Sequence, residues 1–178
     1  MYAYPNQGTY AVDHELVSLS TERVEARHKG DVVWRSEKPG IAWTAFAGAP
    51  TPASKRPARL AQMRTLAASL KGHLGTTVDR KFELRLLSQP IYRYPESDAA
   101  EGAVFAYVHA TDPEILLLLR ANLKAEKPIW EFSAARMTMV NCFLAKDDKE
   151  VWSVPWWQQA REQTYLTRAR VPWSALED

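Results

Sequence analysis

Two periods of hydrophobic and polar side chains alternate along this chain, and each change of period marks an element. Arg23, Glu25 and Arg27 alternate with Val24 and Ala26, the two-residue repeat of a strand with one charged face. The stretch HKGDVVW (28–34) predicts a tight turn at residues 29–31 and a return strand through Trp34. Residues 36–57 carry Pro39, Pro50, Pro52 and Pro57 and two glycines, which predicts a long wrapping loop.

Over residues 57–73 the period lengthens. Leu60, Met63, Leu66, Ala67, Leu70 and Leu74 recur at helical spacing, while Arg59, Gln62, Arg64, Ser69 and Lys71 occupy the other side. Ser54 is the expected cap, Pro57 is tolerated in the first turn, and Gly72 or Gly75 is the expected stop. A single helix with one apolar stripe needs a sheet to lie on.

The two-residue period then returns. FELRLL (82–87), IYRY (91–94), AVFAYVHA (103–110), EILLLLRANL (114–123), IWEFSAARM (129–137), TMVNCFLA (138–145) and EVWSV (150–154) each predict a strand, with KDDK (146–149) as a hairpin turn. Short connections favour an antiparallel meander. Residues 115–119 are apolar without interruption, so both faces of that strand are expected to be covered and the strand to be central. The fold class expected is α+β: one main amphipathic helix packed on a curved, mainly antiparallel sheet. Residues 1–154 form the expected single domain, and residues 155–178 an aromatic C-terminal arm. That arm packs on the body or on a partner chain through Trp156, Trp157 and Trp173, which leaves self-association open.

Segments 14–34 and 130–152 echo each other weakly. STERVEARHKGDVVW and TMVNCFLAKDDKEVW both read strand, polar turn, short strand and Trp, with Val33 and Trp34 matching Val151 and Trp152. The echo is either a duplication or the general likeness of two hairpins.

Composition narrows the classes. A chain of 178 residues with 46% hydrophobic and 25% charged residues buries an ordinary core without cross-links. The net charge of +2 is too small to argue for nucleic acid, although Lys55, Arg56, Arg59, Arg64, Lys71, Arg80, Lys81 and Arg85 face only Asp79 and Glu83 over residues 55–85. That run is either a solvated face or a polyanion-binding one. Cys142 is the sole cysteine, so no internal disulfide forms. The N-terminus lacks a basic leader and an apolar run, and no apolar stretch is long enough to span a bilayer, so a soluble cytoplasmic protein is expected.

No glycine-rich phosphate loop, G-x-S-x-G elbow or H-E-x-x-H motif occurs, and His14, His28, His73 and His109 are scattered without ligand spacing. Neither a metal nor a cofactor is implied. Four groups remain as candidates. Asp112 and Glu114 flank Pro113, either as an acid/base pair or as turn chemistry in which Asp112 bonds the backbone. Arg93 faces opposite to Tyr92 and Tyr94 on its strand, as an anion-reading guanidinium or an ordinary edge residue. Arg136 shares strand phase with Trp130, Phe132 and Ala134, so it is expected at the rim of the core, paired with Asp112 or Glu114 or with an anionic ligand. His14 beside Glu15 is a general-base candidate weakened by the opposite facing of strand neighbours.

The segment LRLLSQPIYRYPESDAAEGAVFAYVHATDPEILLLLRA, preceded by PARLAQMRTLAASL and followed by WEFSAARMT and KEVWSVP, resembles an uncharacterised family of planctomycete bacterial proteins over residues 14–155. No activity is established for that family, so the resemblance contributes no catalytic residue. It implies that the Pro-Tyr-Arg-Tyr segment and the Asp-Pro-Glu turn are family hallmarks, and that further strands precede the N-terminal sheet in other members. Two functions are therefore expected to compete. One is a non-catalytic binding or interaction module that self-associates or docks a partner. The other is a small-molecule carrier or small enzyme using a concavity lined by Tyr92, Tyr94, Phe105, Tyr107 and Trp130.

Overall fold

A computed structural model describes residues 3–6, 9–77, 80–94, 100–158 and 164–172. In chain order its elements are β1 (Ala3–Asn6), β2 (Thr9–Val17), β3 (Glu25–His28), β4 (Asp31–Arg35), β5 (Thr44–Ala45), α1 (Arg56–Ala68), β6 (Lys71–Thr77) and β7 (Arg80–Leu86). There follow β8 (Tyr92–Arg93), β9 (Ala100–His109), β10 (Asp112–Asn122), β11 (Ile129–Arg136), β12 (Asn141–Lys146), β13 (Lys149–Val154) and β14 (Tyr165–Pro172). The chain divides into two compact units, Met1–Gly40 with Gln158–Asp178, and Ile41–Trp157. No described helix is long and apolar enough to cross a membrane.

In the first unit β2 is paired antiparallel with β1 on one side and β14 on the other, and β3 with β4 form a separate hairpin. The expected C-terminal arm thus contributes a strand to its own chain. Trp173 lies outside the described residues.

The second unit is α+β, with one helix on a nine-stranded, antiparallel sheet ordered β13-β12-β6-β7-β9-β10-β11-β5, to which β8 adds on β9. The sheet has to curl. Strands β11 and β12 stand five places apart in it, about 24 Å if it were flat at ~4.8 Å per strand. Yet residues 137–140 alone connect them, and those steps reach no more than about 18 Å. Curling brings the two ends of the strand order round a shared interior. The expected meander holds for β9, β10 and β11, whereas β12 pairs with β6 rather than β11.

Turn chemistry fixes two of the hairpins. Lys29 and Gly30 have φ of 49° and 89°, and Asp147 and Asp148 have 49° and 58°, the mirror-image turn that matches strand twist. Both hairpins also bulge at the same place. The register shift falls between Ala26 and Arg27 in one and between Leu144 and Ala145 in the other, which pairs Ala26 with Trp34 and Leu144 with Trp152. The two echoing segments thus share turn conformation, bulge position and the pairing of the Trp.

The helix is shorter than its sequence period. It ends at Ala68, and residues 71–73, expected in its last turn, belong to β6, so Gly72 and Gly75 lie in a strand and are not its stop. Ser69 is the C-cap, with its Oγ donating to Leu66 O at 2.8 Å, and the Tyr107 hydroxyl donates to Ala67 O at 2.8 Å and to Leu70 O at 3.2 Å. Carbonyls left over at the helix end are thereby satisfied by a tertiary partner. The expected cap Ser54 is replaced by Lys55, which makes no side-chain cap bond. Two helix side chains hold the entry loop instead. Gln62 accepts from Ala53 N–H and donates to Thr51 O, and Arg59 Nη1 donates to Ala53 O and Ser54 O.

Met63, Leu66 and Ala67 of α1 pack with Phe105, Tyr107, Ile115, Leu117, Leu119, Trp130, Phe132 and Leu144 in one core. Burying each large apolar side chain contributes roughly 1.5–3 kcal/mol. Leu116 and Leu118, on the other face of β10, are buried as well, as the unbroken leucine run requires.

Candidate functional site

One carboxylate in this core has no apolar excuse. Glu101 opens β9 in phase with Ala103, Phe105 and Tyr107, so its side chain points to the helix face, where it is fully buried. A lone buried carboxylate is unaffordable without cations, and three arginines meet it. Arg59 Nε donates to Oε2 at 2.6 Å, while Arg93 Nη2 and Arg56 Nε converge on Oε1 at 2.8 and 3.1 Å. Arg59 and Arg56 come from the first turn of α1, a position where cations oppose the helix dipole and which holds no acidic residue of its own. Arg93 comes from β8, whose pairing with Ala103 sets it on the same face.

The three guanidiniums differ in exposure. Arg59 is only 3% exposed and acts as the internal brace, whereas the Arg56 and Arg93 side chains are 45% and 35% exposed. Among the described residues Arg93 Nε has no partner, and each outer arginine spends one nitrogen on Glu101. Among the described residues the cluster sets three guanidiniums around one carboxylate, and two of them, Arg56 and Arg93, reach the surface.

Tyr92 and Tyr94 sit on the opposite face of the sheet, with rings edge to face at 5.8 Å. Tyr94 lies flat over Gly102, where a Cβ would come within 2.3 Å of its Cδ2. Burial pushes the Tyr94 phenol up to about 12, with the nearby Arg120 guanidinium opposing the shift. Arg120 in turn stacks 4.0 Å over the Trp43 ring and pairs with Glu131 at 2.7 Å.

The remaining candidates separate. The aromatic concavity does not form as expected, because Phe105, Tyr107 and Trp130 are core residues under α1 while Tyr92 and Tyr94 face away from it. Arg136 is buried, and its Nη2 donates to Val140 O at 2.8 Å and to Pro155 O, tying the β11–β12 connection to the end of β13. Glu114, also buried, sits at a bulge beside Ile115, the cross-strand partner of Arg136, and its carbonyl accepts from Met137 N–H. The β9–β10 turn falls on Ala110 and Thr111, with φ of 53° at Ala110, so Asp112 and Pro113 already belong to β10 instead of making the turn. His14 pairs in register with Arg168, and Glu15 accepts from the Tyr165 hydroxyl at 2.8 Å. Asp112, Glu114 and Arg136 are therefore not neighbours of Arg93 in the Glu101 cluster.

Glu101 was not marked in the sequence, where Arg56 and Arg59 stood out only within the basic run of residues 55–85 and Arg59 was set on the polar side of the helix. The signal was present. Arg59 stands four and seven residues before Met63 and Leu66, on the apolar stripe, and Glu101 is the one charge in core phase on β9. Compared with protein families, curated proteins and solved structures, the chain matches none of them at a significant level.

Proposed function

We propose that the protein is a non-catalytic binding module whose recognition element is the Arg56 and Arg93 pair, and that the group it holds is an anionic group of a partner, carboxylate or phosphate. One observation carries this reading: two partly exposed guanidiniums converge on a single oxygen of a fully buried carboxylate, each through one nitrogen. Glu101 orients them, and Arg59 ties Glu101 to the helix, so little side-chain freedom is left to lose on binding. Titrating 15N-labelled protein with inorganic phosphate and with acetate tests it. Saturable shifts of the Arg56 and Arg93 Nε–Hε signals, lost in Arg93→Gln and Arg56→Gln with the fold intact, are expected. Absence of any saturable shift in the wild type defeats the proposal.

Self-association is a second reading, supported by the β2–β14 pairing, because the same ladder made between two copies gives an exchanged dimer. Trp156, half exposed, lies in the connection to β14. Light-scattering mass of the full chain and of residues 1–158 decides it: a dimer that truncation abolishes is expected, and a monomeric full chain rules it out.

A further inference from the structure

At the other end of α1 from the arginine cluster, the curled sheet fails to close. β5 and β13 are the last strands of the order, each paired on one side only, and both line one pocket of about 210 Å³. Its walls are Phe46, Leu70 and Phe132, all buried, with Thr44 and Val151 at the two strand edges. The charged group in the lining is Lys146. Its ammonium donates to Ala47 O at 2.9 Å and stands 5.6 Å from the Phe46 ring centroid, which fixes its position and leaves two of its three donors for other partners. Asp147 lies 3.8 Å away, but its side chain is 87% exposed, so water screens that pair.

We propose that this seam pocket binds a small apolar carboxylate, with its ring or short alkyl body against Phe46, Leu70 and Phe132 and its carboxylate on Lys146. Three features select that class. The volume is below the roughly 300–1,000 Å³ of sites that hold larger ligands. The interior offers dispersion contact and few hydrogen bonds, which excludes sugars and nucleotides. A single cation beside aromatic walls attracts one negative charge more strongly than it would in open water. The inference is independent of the arginine pair, since it uses none of its residues.

Benzoate and its neutral isostere benzamide are the probes, followed by amide NMR on the full chain. Benzoate is expected to shift Thr44, Ala45 and Val151 saturably, and Lys146→Met to weaken it by about tenfold or more while leaving benzamide unchanged. Thr44→Phe, at the exposed edge position that pairs with Phe132 and shares its face, fills the pocket and is expected to abolish both. The proposal fails if those amides do not move, if Lys146→Met binds benzoate like the wild type, or if the shifts are confined to Arg56 and Arg93.

Discussion

Arg59 Nε lies 2.6 Å from Glu101 Oε2 with both side chains out of water, so the first turn of α1 is fastened to the first residues of β9 by a buried ion pair. Removing one partner strands the other. Glu101→Gln is expected to cost about 3–5 kcal/mol in urea unfolding, and a double-mutant cycle with Arg59→Met to return a coupling of about 2 kcal/mol. Additive single mutants would show that the pair is not coupled.

Tyr107 joins the sheet to the end of the helix by one hydroxyl. Tyr107→Phe keeps the ring and leaves the carbonyls of Ala67 and Leu70 short of a donor, at a cost of about 1–2 kcal/mol near neutral pH. Helix amides near residues 66–70 are expected to exchange faster in this variant, and unchanged exchange there would contradict the capping role.

Alkali acts on the two buried phenols. Burial raises the folded-state pKa of both Tyr107 and Tyr94, the latter to about 12. Below about pH 10, the ordinary phenol value, both states keep the proton and the stabilisation is fully present. As pH rises from there toward 12 the unfolded chain loses the proton first, so stability falls. Tyr94→Phe is expected to flatten part of that decline between pH 10 and 12, and an unchanged slope would remove Tyr94 as its cause.

Gly102 is needed for its missing side chain. A Cβ there meets the Tyr94 ring at 2.3 Å and Leu119 O at 2.4 Å, and the second is backbone that does not yield. Gly102→Ala is expected to destabilise by about 2–3 kcal/mol and to dislodge Tyr94, read as a change in its ring signals.

Ala110 is the converse case. It holds φ of 53° in an exposed turn, a conformation costly for a residue with a Cβ. Ala110→Gly is expected to stabilise by about 0.5–1 kcal/mol, detectable as a raised urea midpoint.

Much of the sheet was legible because its cues are local. KDDK and the Lys29–Gly30 turn supply the chemistry their hairpins need, and the leucine run of β10 announces burial on both faces. The helix end was misjudged for a physical reason. Leu70 and Leu74 continue the helical count from Met63 and Leu66, yet they also reach the same core from an extended chain, so burial alone does not separate the two. The helix end is met by Tyr107, almost forty residues away, whose hydroxyl donates to its last carbonyls, and Gly72 is kept small by that same ring, whose Cδ1 would lie 2.8 Å from a Cβ. The site suffered likewise. Arg93 was read correctly as opposed to its tyrosines, but only the pairing of β8 with β9 brings it to Glu101.

The ladder between β2 and β14 spans nearly the whole chain, with Ile41–Trp157 lying between its two halves. During synthesis the inserted unit emerges complete before Tyr165 does, so it can collapse while β2 still waits with one edge bare. The topology thus leaves the β2–β14 ladder to close only once β14 has been made, after every residue of the inserted unit is already in place in the chain.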